Sequence, residues 1–400
     1  MNRLGIYVQV PFCQTKCTYC NFHTGVVSTG RFAPYVEAVC REIRGYRELY
    51  RAAEVKLPEG FEKAVVDTVY IGGGTPSLLE AGLLQRMMDA IGEAFAMKEG
   101  GASPSPTGLE MEVTLEADPE TVEPGKAAAW VRAGINRVSF GVQSFADKEL
   151  VAAGRMHRRA DIYRAAGILR DVGIRNISFD LIAGLPWQTA ESWKESLEEL
   201  VKLGPEHVSV YLLEVDEGSR LGLEILQSGT RYSAGAVPGD DLMAEFYETA
   251  CTFLEDLGYH HYEISNWARP GFESRHNLKY WRRDAYLGFG AGAHSFSGMQ
   301  RWANAHDAAA YVAAITTGRL PAEQVEVVTR ESALEEELFL GLRQLDGIDL
   351  GRIEKEYGVT LRARFDPLAS AGLVEREGSM VRLAEGKLSV SNEVFVELMR

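Results

Sequence analysis

Cys13-Gln14-Thr15-Lys16-Cys17-Thr18-Tyr19-Cys20 follows almost directly on the apolar run Leu4-Gly5-Ile6-Tyr7-Val8-Gln9-Val10. The run reads as a strand, and the C-x3-C-x2-C triplet stands at its carboxyl end. Three close thiolates can hold zinc with a fourth ligand such as His23. They can equally hold three irons of a [4Fe–4S] cluster and leave the fourth iron open for a substrate. Spacing alone leaves zinc, cluster and a structural triplet all open. Position favours the cluster, because the reactive groups of a parallel β/α barrel sit at the carboxyl ends of its strands.

Working outward, strand-like and helix-like stretches alternate, the pattern of stacked βα units on a parallel sheet. Strands are expected at Leu4–Val10, Val65–Gly72, Glu110–Glu116, Arg137–Val142, Ile177–Ile182 and His207–Leu213. Amphipathic stretches at Ala33–Tyr50, Leu78–Phe95, Ala160–Val172 and Glu191–Leu203 are long enough to cross back over the sheet. The expected fold is α/β, a partial (β/α)6 TIM-like barrel. After strand two comes Gly72-Gly73-Gly74-Thr75-Pro76, and glycines let a backbone approach a ligand closely. Glu116 ends strand three, Gln143 follows strand four, Asp180 stands on strand five and Glu214 follows strand six. A tight turn accounts for the glycines alone, and structural ion pairs for Glu116 and Asp180 singly. Polar residues at so many ends of one sheet point to a ligand pocket.

The chain has 400 residues, 46% hydrophobic and 25% charged, which fits a globular protein with a large core. The 42 basic and 57 acidic side chains leave a net charge of −15, disfavouring nonspecific attraction to nucleic acid or anionic lipid. No apolar run is long enough to cross a membrane, and nothing before the first strand reads as a signal or transit segment, so a cytoplasmic protein is expected. Five cysteines fit a reducing compartment, with Cys40 and Cys251 expected as helix core. Three domains are expected. Residues 1–238 form the partial barrel, with surface insertions at Arg51–Glu62, Lys98–Gly108 and Gln227–Gly239. Residues 239–330 extend it, opening on a helix at Asp241–Leu257 and continuing into an aperiodic run, Tyr259–Trp302, crowded with His, Asn, Tyr, Trp and Gly. Residues 331–400 make a small C-terminal domain of winged-helix-like order: helices at Ser332–Gln344, Gly351–Tyr357 and Thr360–Ala371, strands at Leu373–Arg376 and Met380–Leu383, and a last helix at Asn392–Leu398. Its candidate recognition segment, Thr360 to Phe365, has only Arg362 and Arg364 as basic residues, so structural or protein-contact use is preferred to nucleic acid.

C-x3-C-x2-C after strand one, Tyr19 just before the third cysteine, and Gly73-Gly74-Thr75-Pro76 after strand two resemble a radical S-adenosylmethionine (SAM) protein. Ile6 to Cys13, Arg137-Val138-Ser139-Phe140-Gly141-Val142-Gln143-Ser144-Phe145 and Asp180-Leu181-Ile182-Ala183-Gly184-Leu185-Pro186 are similar to the oxygen-independent coproporphyrinogen III oxidase (HemN) family, which includes a haem-chaperone branch, HemW. The resemblance spans roughly Leu4 to Phe296. It implies a [4Fe–4S] cluster on Cys13, Cys17 and Cys20, with SAM on its open iron. It also implies that Tyr7 and Tyr19 line the SAM site, that Gly73, Gly74 and Thr75 meet the methionine end, and that Glu116, Gln143, Arg155 and Asp180 contact the remainder. Glu214 is left out, because the oxidase has a small apolar residue there. In the family, one electron passed to the cluster cleaves SAM to methionine and a 5′-deoxyadenosyl radical.

Two departures from the oxidase point to the chaperone branch. Asn21-Phe22 follows Cys20 where the oxidase has its fourth cysteine, and Cys13 lies too near the start for the oxidase's N-terminal arm. His276-Asn277-Leu278-Lys279-Tyr280-Trp281 matches that branch's H-N-x-x-Y-W signature, making His276, Asn277, Tyr280 and Trp281 the haem candidates. Imidazole is a common axial haem ligand, and aromatic rings can cover a porphyrin face. His294, His260 and His261 are secondary candidates. Trp267 and Tyr262 could pack around the same pocket or serve the core. The expected function is a haem chaperone, with haem, an acceptor protein and an electron donor such as flavodoxin or ferredoxin as partners. No nucleic acid is expected, and peripheral contact with membrane-bound acceptors is allowed. The alternatives are oxidative decarboxylation of coproporphyrinogen III to protoporphyrinogen IX, and another radical SAM tetrapyrrole-modifying or methyl-transferring enzyme.

Overall fold

The structure, a computed structural model, describes residues 3–97 and 111–399. Six strands lie parallel and consecutive: β1 (Arg3–Val10), β2 (Val65–Gly73), β3 (Glu112–Ala117), β4 (Arg137–Gln143), β5 (Asn176–Ala183) and β6 (His207–Leu212). Each crossover carries helix, including Phe32–Ala52, Ala81–Ala94, Pro124–Arg132, Arg159–Asp171 and Ala190–Leu203. Along β1 the side chains alternate with the two-residue period of a strand. Leu4, Ile6, Val8 and Val10 are fully buried, Phe12 follows them into the same core, and Tyr7 and Gln9 turn to the other side. Each aliphatic side chain buried in this way contributes about 1.5–3 kcal/mol. The Phe32–Ala52 helix offers Val36, Val39, Cys40 and Ile43 to that core at helical spacing, so Cys40 is packing. Cys251 packs half-buried on the Asp240–Asp256 helix.

The sheet continues past both ends of the six. The antiparallel β7 (His260–Glu263) and β8 (Asn266–Ala268) extend it beyond β6. On the other side β9 (Tyr286–Phe289) pairs parallel with β1, followed by antiparallel β10 (His294–Phe296), β11 (Gln300–Asn304) and β12 (Ala322–Val327). The aperiodic run is therefore short hairpins around one short helix, Arg275–Trp281. β9 escaped the sequence reading because four residues buried on both faces show no alternation. The Arg51–Glu62 and Gln227–Gly239 insertions hold short 3-10 turns at Phe61–Lys63 and Arg231–Ala236. Lys98–Gly108 and the start of the strand expected at Glu110 lie outside the described residues.

The C-terminal part has its own core, with Leu338, Ile353, Phe365, Leu368, Val381 and Phe395 among its members. Helices Arg330–Gly341, Leu350–Tyr357, Arg362–Ser370 and Ser391–Leu398 surround a three-stranded sheet. The sheet is β13 (Ile348–Asp349), β14 (Val374–Glu377) and β15 (Met380–Leu383), and β13 is an addition to the two expected strands. Arg364 is held by both oxygens of Glu335 at 2.7 and 2.6 Å. This part is stitched to the barrel, with Ile264 in its core and backbone bonds from Ile264 N–H to Arg343 and from Leu345 N–H to Tyr262.

Candidate functional site

The interior side chains of β2 to β6 and the loops at their carboxyl ends enclose one cavity of about 490 Å³, within the range of small-molecule sites. Cys13, Cys17, Cys20, Tyr19, Gly73, Gly74, Thr75, Glu116, Gln143, Arg155 and Asp180 all line it. Backbone bonds pin the cysteine loop across the cavity mouth: Thr18 N–H to Ala153 (3.0 Å), Leu221 N–H to Thr18 (2.8 Å) and Cys20 N–H to Cys17 (3.3 Å). The three thiols are free and half-buried. Burial pushes the Cys13 thiol up, while the Thr24 and Thr75 hydroxyls draw it back.

Arg155 reaches into this loop. Its side chain is only 9% exposed; it pairs with Asp118, donates to the Gly141 carbonyl at 2.7 Å, and lies 3.4 Å from Cys17 Sγ. Burial disfavours its charge, but Asp118, Tyr19 and Cys17 more than offset this and hold the guanidinium well above its ordinary pKa. A fixed cation beside a thiol favours the thiolate that iron requires. No three His, Cys, Asp or Glu side chains among the described residues converge as ligands of a single ion do. A cubane needs no such convergence, since each thiolate takes a separate iron. The residues present fit the cluster.

The glycines are required by close approach. A Cβ on Gly73, whose φ is +107°, would fall 2.4 Å from the Gln9 amide, and one on Gly74 would fall 2.6 Å from the Phe12 carbonyl. The N–H groups here are already used, Gly73 by Glu116 (2.8 Å), Gly74 by Val10 (2.9 Å) and Thr75 by Phe12 (2.7 Å). With these N–H groups taken, the turn can meet a ligand only through carbonyl oxygens, which suit an ammonium group. Glu116 also accepts from the Tyr70 hydroxyl at 2.8 Å. Burial lifts its carboxyl to about 7 against those two donors, with Asp180 and Asp118 adding to the rise. Burial likewise raises Asp180, against the hydroxyls of Ser209, Ser139 and Ser178. Gln143 sits at φ +65° where the β4–β5 register shifts, an irregularity that re-aims a side chain at a strand end. The Glu116 and Asp180 carboxyls, a carboxamide and backbone carbonyls fit a small cation carrying an ammonium group and hydroxyls, as SAM does.

Tyr7 does not line the cavity. Its hydroxyl bonds Gln9, and its ring lies 6.1 Å from Tyr70 and 6.4 Å from His276. Tyr70, Asp118 and Arg137 do line it and were missed. For Tyr70, strand parity from Gly72 was the available signal; for Arg137, which is 2% exposed and bonded to Asn176, a charge opening a strand was the signal.

The His276 helix packs near the amino ends of the strands, away from the cysteines. Its first N–H groups, Arg275 and His276, donate to the Glu112 carboxylate at 3.2 and 3.0 Å, and Lys279 pairs with Asp67 at 2.7 Å, both nearly buried. His276 is 1% exposed. Its Nδ1 is 2.9 Å from Thr68 Oγ1 and its Nε2 3.0 Å from the Tyr280 hydroxyl. Burial lowers the imidazole to about 3, helped by Lys279. With both nitrogens bonded inside the barrel, the residues here do not fit an axial haem ligand in this conformation. Tyr280 packs edge-on to Tyr286, and Trp281 lies under Arg343. Of the four candidates only Asn277 touches the cavity. His261 is stacked on buried Trp267, Tyr262 bonds His207, and His260 is exposed near Glu273.

Residues 7–200 match the radical SAM superfamily and residues 328–385 the HemN C-terminal domain. Heme chaperone HemW of Bacillus subtilis (strain 168) is 35% identical over 97% of both chains. Heme chaperone HemW of Lactococcus lactis is 30% identical over 98% of this chain and 96% of its own. In fold, the structure of coproporphyrinogen III oxidase (HemN) from Escherichia coli superposes with a TM-score of 0.80 at 22% identity, covering 99% of this chain and 90% of that one. With such identity sustained along nearly the whole length of its relatives, the chain belongs to the HemW family of radical SAM proteins.

Proposed function

We propose that this chain is a haem chaperone: it holds a [4Fe–4S] cluster on Cys13, Cys17 and Cys20 with SAM beside it, binds haem, and passes it to an acceptor protein. The observation that carries this reading is the full-length likeness to proteins named heme chaperone HemW. The cavity supports the cofactor half, since the three thiols, Arg155 and the raised carboxyls of Glu116 and Asp180 share its wall. When bound, the cluster supplies the electron that radical SAM chemistry needs. Arg155 sets a cation 3.4 Å from Cys17 Sγ and ties the cysteine loop to β4. Gly73 and Gly74 offer carbonyls to the SAM ammonium, and Glu116, Gln143 and Asp180 orient its hydroxyls and base. Phe22, where the oxidase has a cysteine, removes a thiol from the cluster rim and leaves an exposed ring there.

No helix among the described residues is long and apolar enough to cross a membrane. We place the protein in the cytoplasm, drawing its electron from a flavodoxin or ferredoxin and meeting membrane-bound acceptors peripherally. The test is anaerobic reconstitution with iron and sulfide, then parallel incubation with haem and with coproporphyrinogen III, SAM and a reductant. One haem per chain without porphyrin decarboxylation is expected. Protoporphyrinogen formation without haem uptake would replace the chaperone with an oxidase.

A further inference from the structure

The sealed His276 leaves the haem of the proposed function without a ligand, and another group of imidazoles is exposed beside the cysteine loop. His23, three residues after Cys20, has its ring 3.8 Å from that of His306. His306 lies over Gly292, where a Cβ would come within 3.0 Å of its Nδ1. His294, on β10 of the same extension, completes the group. All three are exposed, though 283 residues separate His23 from His306. They form one electrostatic group: burial lowers His294, and His306, Arg301 and His23 press it down further. His23 is lowered by burial, then by His306 and Lys16. Neutral imidazole is the form that binds iron.

The surroundings match a haem part by part. Phe22, adjoining His23, is 66% exposed, and its ring can cover a macrocycle face. Lys16, close enough to His23 to affect its charge, offers a cation to a propionate. No three ligating side chains among the described residues converge on a point, as a bare ion would require. A haem iron brings four nitrogens of its own and needs only one or two axial imidazoles. Resting on the chaperone reading, we infer that haem is held at this face, its iron ligated by the His23, His294 and His306 group, its ring on Phe22 and a propionate on Lys16. Phe22 and Lys16 also line the mouth of the cavity, so bound haem lies beside the cluster and borders the SAM opening.

The test titrates ferric haem into the full reconstituted chain and reads the Soret band, stoichiometry and the electron paramagnetic signature of imidazole ligation. The variants are H23A/H294A/H306A, F22S, H276Q and, as a control for stray surface imidazoles, H260A. Expected is one haem in the wild type, at least ten-fold weaker binding with a changed axial signature in the triple variant, and weaker binding with an unchanged signature in F22S. H276Q and H260A should behave as wild type, and the cluster absorbance should persist throughout. Unaltered affinity and axial signature in the triple variant would overturn the site while leaving the chaperone reading intact. Absence of stoichiometric binding to the wild type would instead overturn that reading. Loss of the imidazole signature in H276Q alone would return the ligand to the barrel interior.

Discussion

Replacing His276 by alanine tests whether the Arg275–Trp281 helix closes the barrel or waits to offer a ligand. The imidazole is 1% exposed and bridges Thr68 on β2 to Tyr280 on its own helix through bonds of 2.9 and 3.0 Å. Alanine removes both bonds and leaves two buried hydroxyls to find new partners, at roughly 1–3 kcal/mol each. It also opens a void under the Tyr70 ring, which stacks 5.2 Å away. We expect a loss of about 4 kcal/mol, roughly three decades in the unfolding constant. All six tryptophans precede residue 303, and five of them lie away from Arg343, so their fluorescence in a urea titration reports chiefly the barrel. Adding Thr68→Val removes one orphaned hydroxyl, and the double variant should recover about 1–2 kcal/mol relative to the sum of the single changes. A loss below about 1 kcal/mol with simple additivity would refute the account, since a buried bridge cannot be removed so cheaply.

Replacing Cys13, Cys17 or Cys20 by Ala should abolish the iron–sulfur absorption; a full cluster in any one variant would refute the ligand set. Burial lifts the Glu42 carboxyl from an ordinary value of 4.5 to about 7, against donors from Tyr311, Gly290 and Asn304. The folded state therefore keeps a proton that the unfolded chain has already lost, and stability should fall as pH rises from 4.5 through 7. Glu42→Gln should remove most of that slope, worth about 3 kcal/mol across the window by denaturant titration. Glu116 titrates near 7, so SAM affinity should rise between pH 6 and 8 as its carboxylate forms, and Glu116→Gln should flatten the profile in equilibrium binding. Arg155→Met removes the guanidinium that ties the cysteine loop to Asp118 and β4 and should lower the iron bound after reconstitution; unchanged cluster occupancy would remove Arg155 from the cluster's support.

The six strands and their covering helices were legible because Leu4, Ile6, Val8 and Val10, and their counterparts in the other units, carry both periodicities in residue type. The cavity wall was legible as well, since in a parallel β/α chain every strand end points the same way, and reading those ends collects Glu116, Gln143 and Asp180 before any geometry is known. Tyr70 and Asp118 escaped because an interior tyrosine looks like core and a loop aspartate like solvent. Nothing in the sequence pairs Lys279 with Asp67, and only the fold brings them together.

The order of strands, the cysteine triplet and the glycine turn were determined by sequence alone, because spacing and steric demand act over a few residues. What the histidines do was decided by tertiary structure. His276 sits in the more suggestive motif but is enclosed among β1, β2 and its own helix. His23, read from the chain only as a possible fourth zinc ligand, and His306, which no pattern marks, come into ring contact only when β9 docks parallel to β1 and carries the following hairpin to the cysteine loop. Burial and long-range proximity come from how elements pack, and no local pattern of residues encodes them.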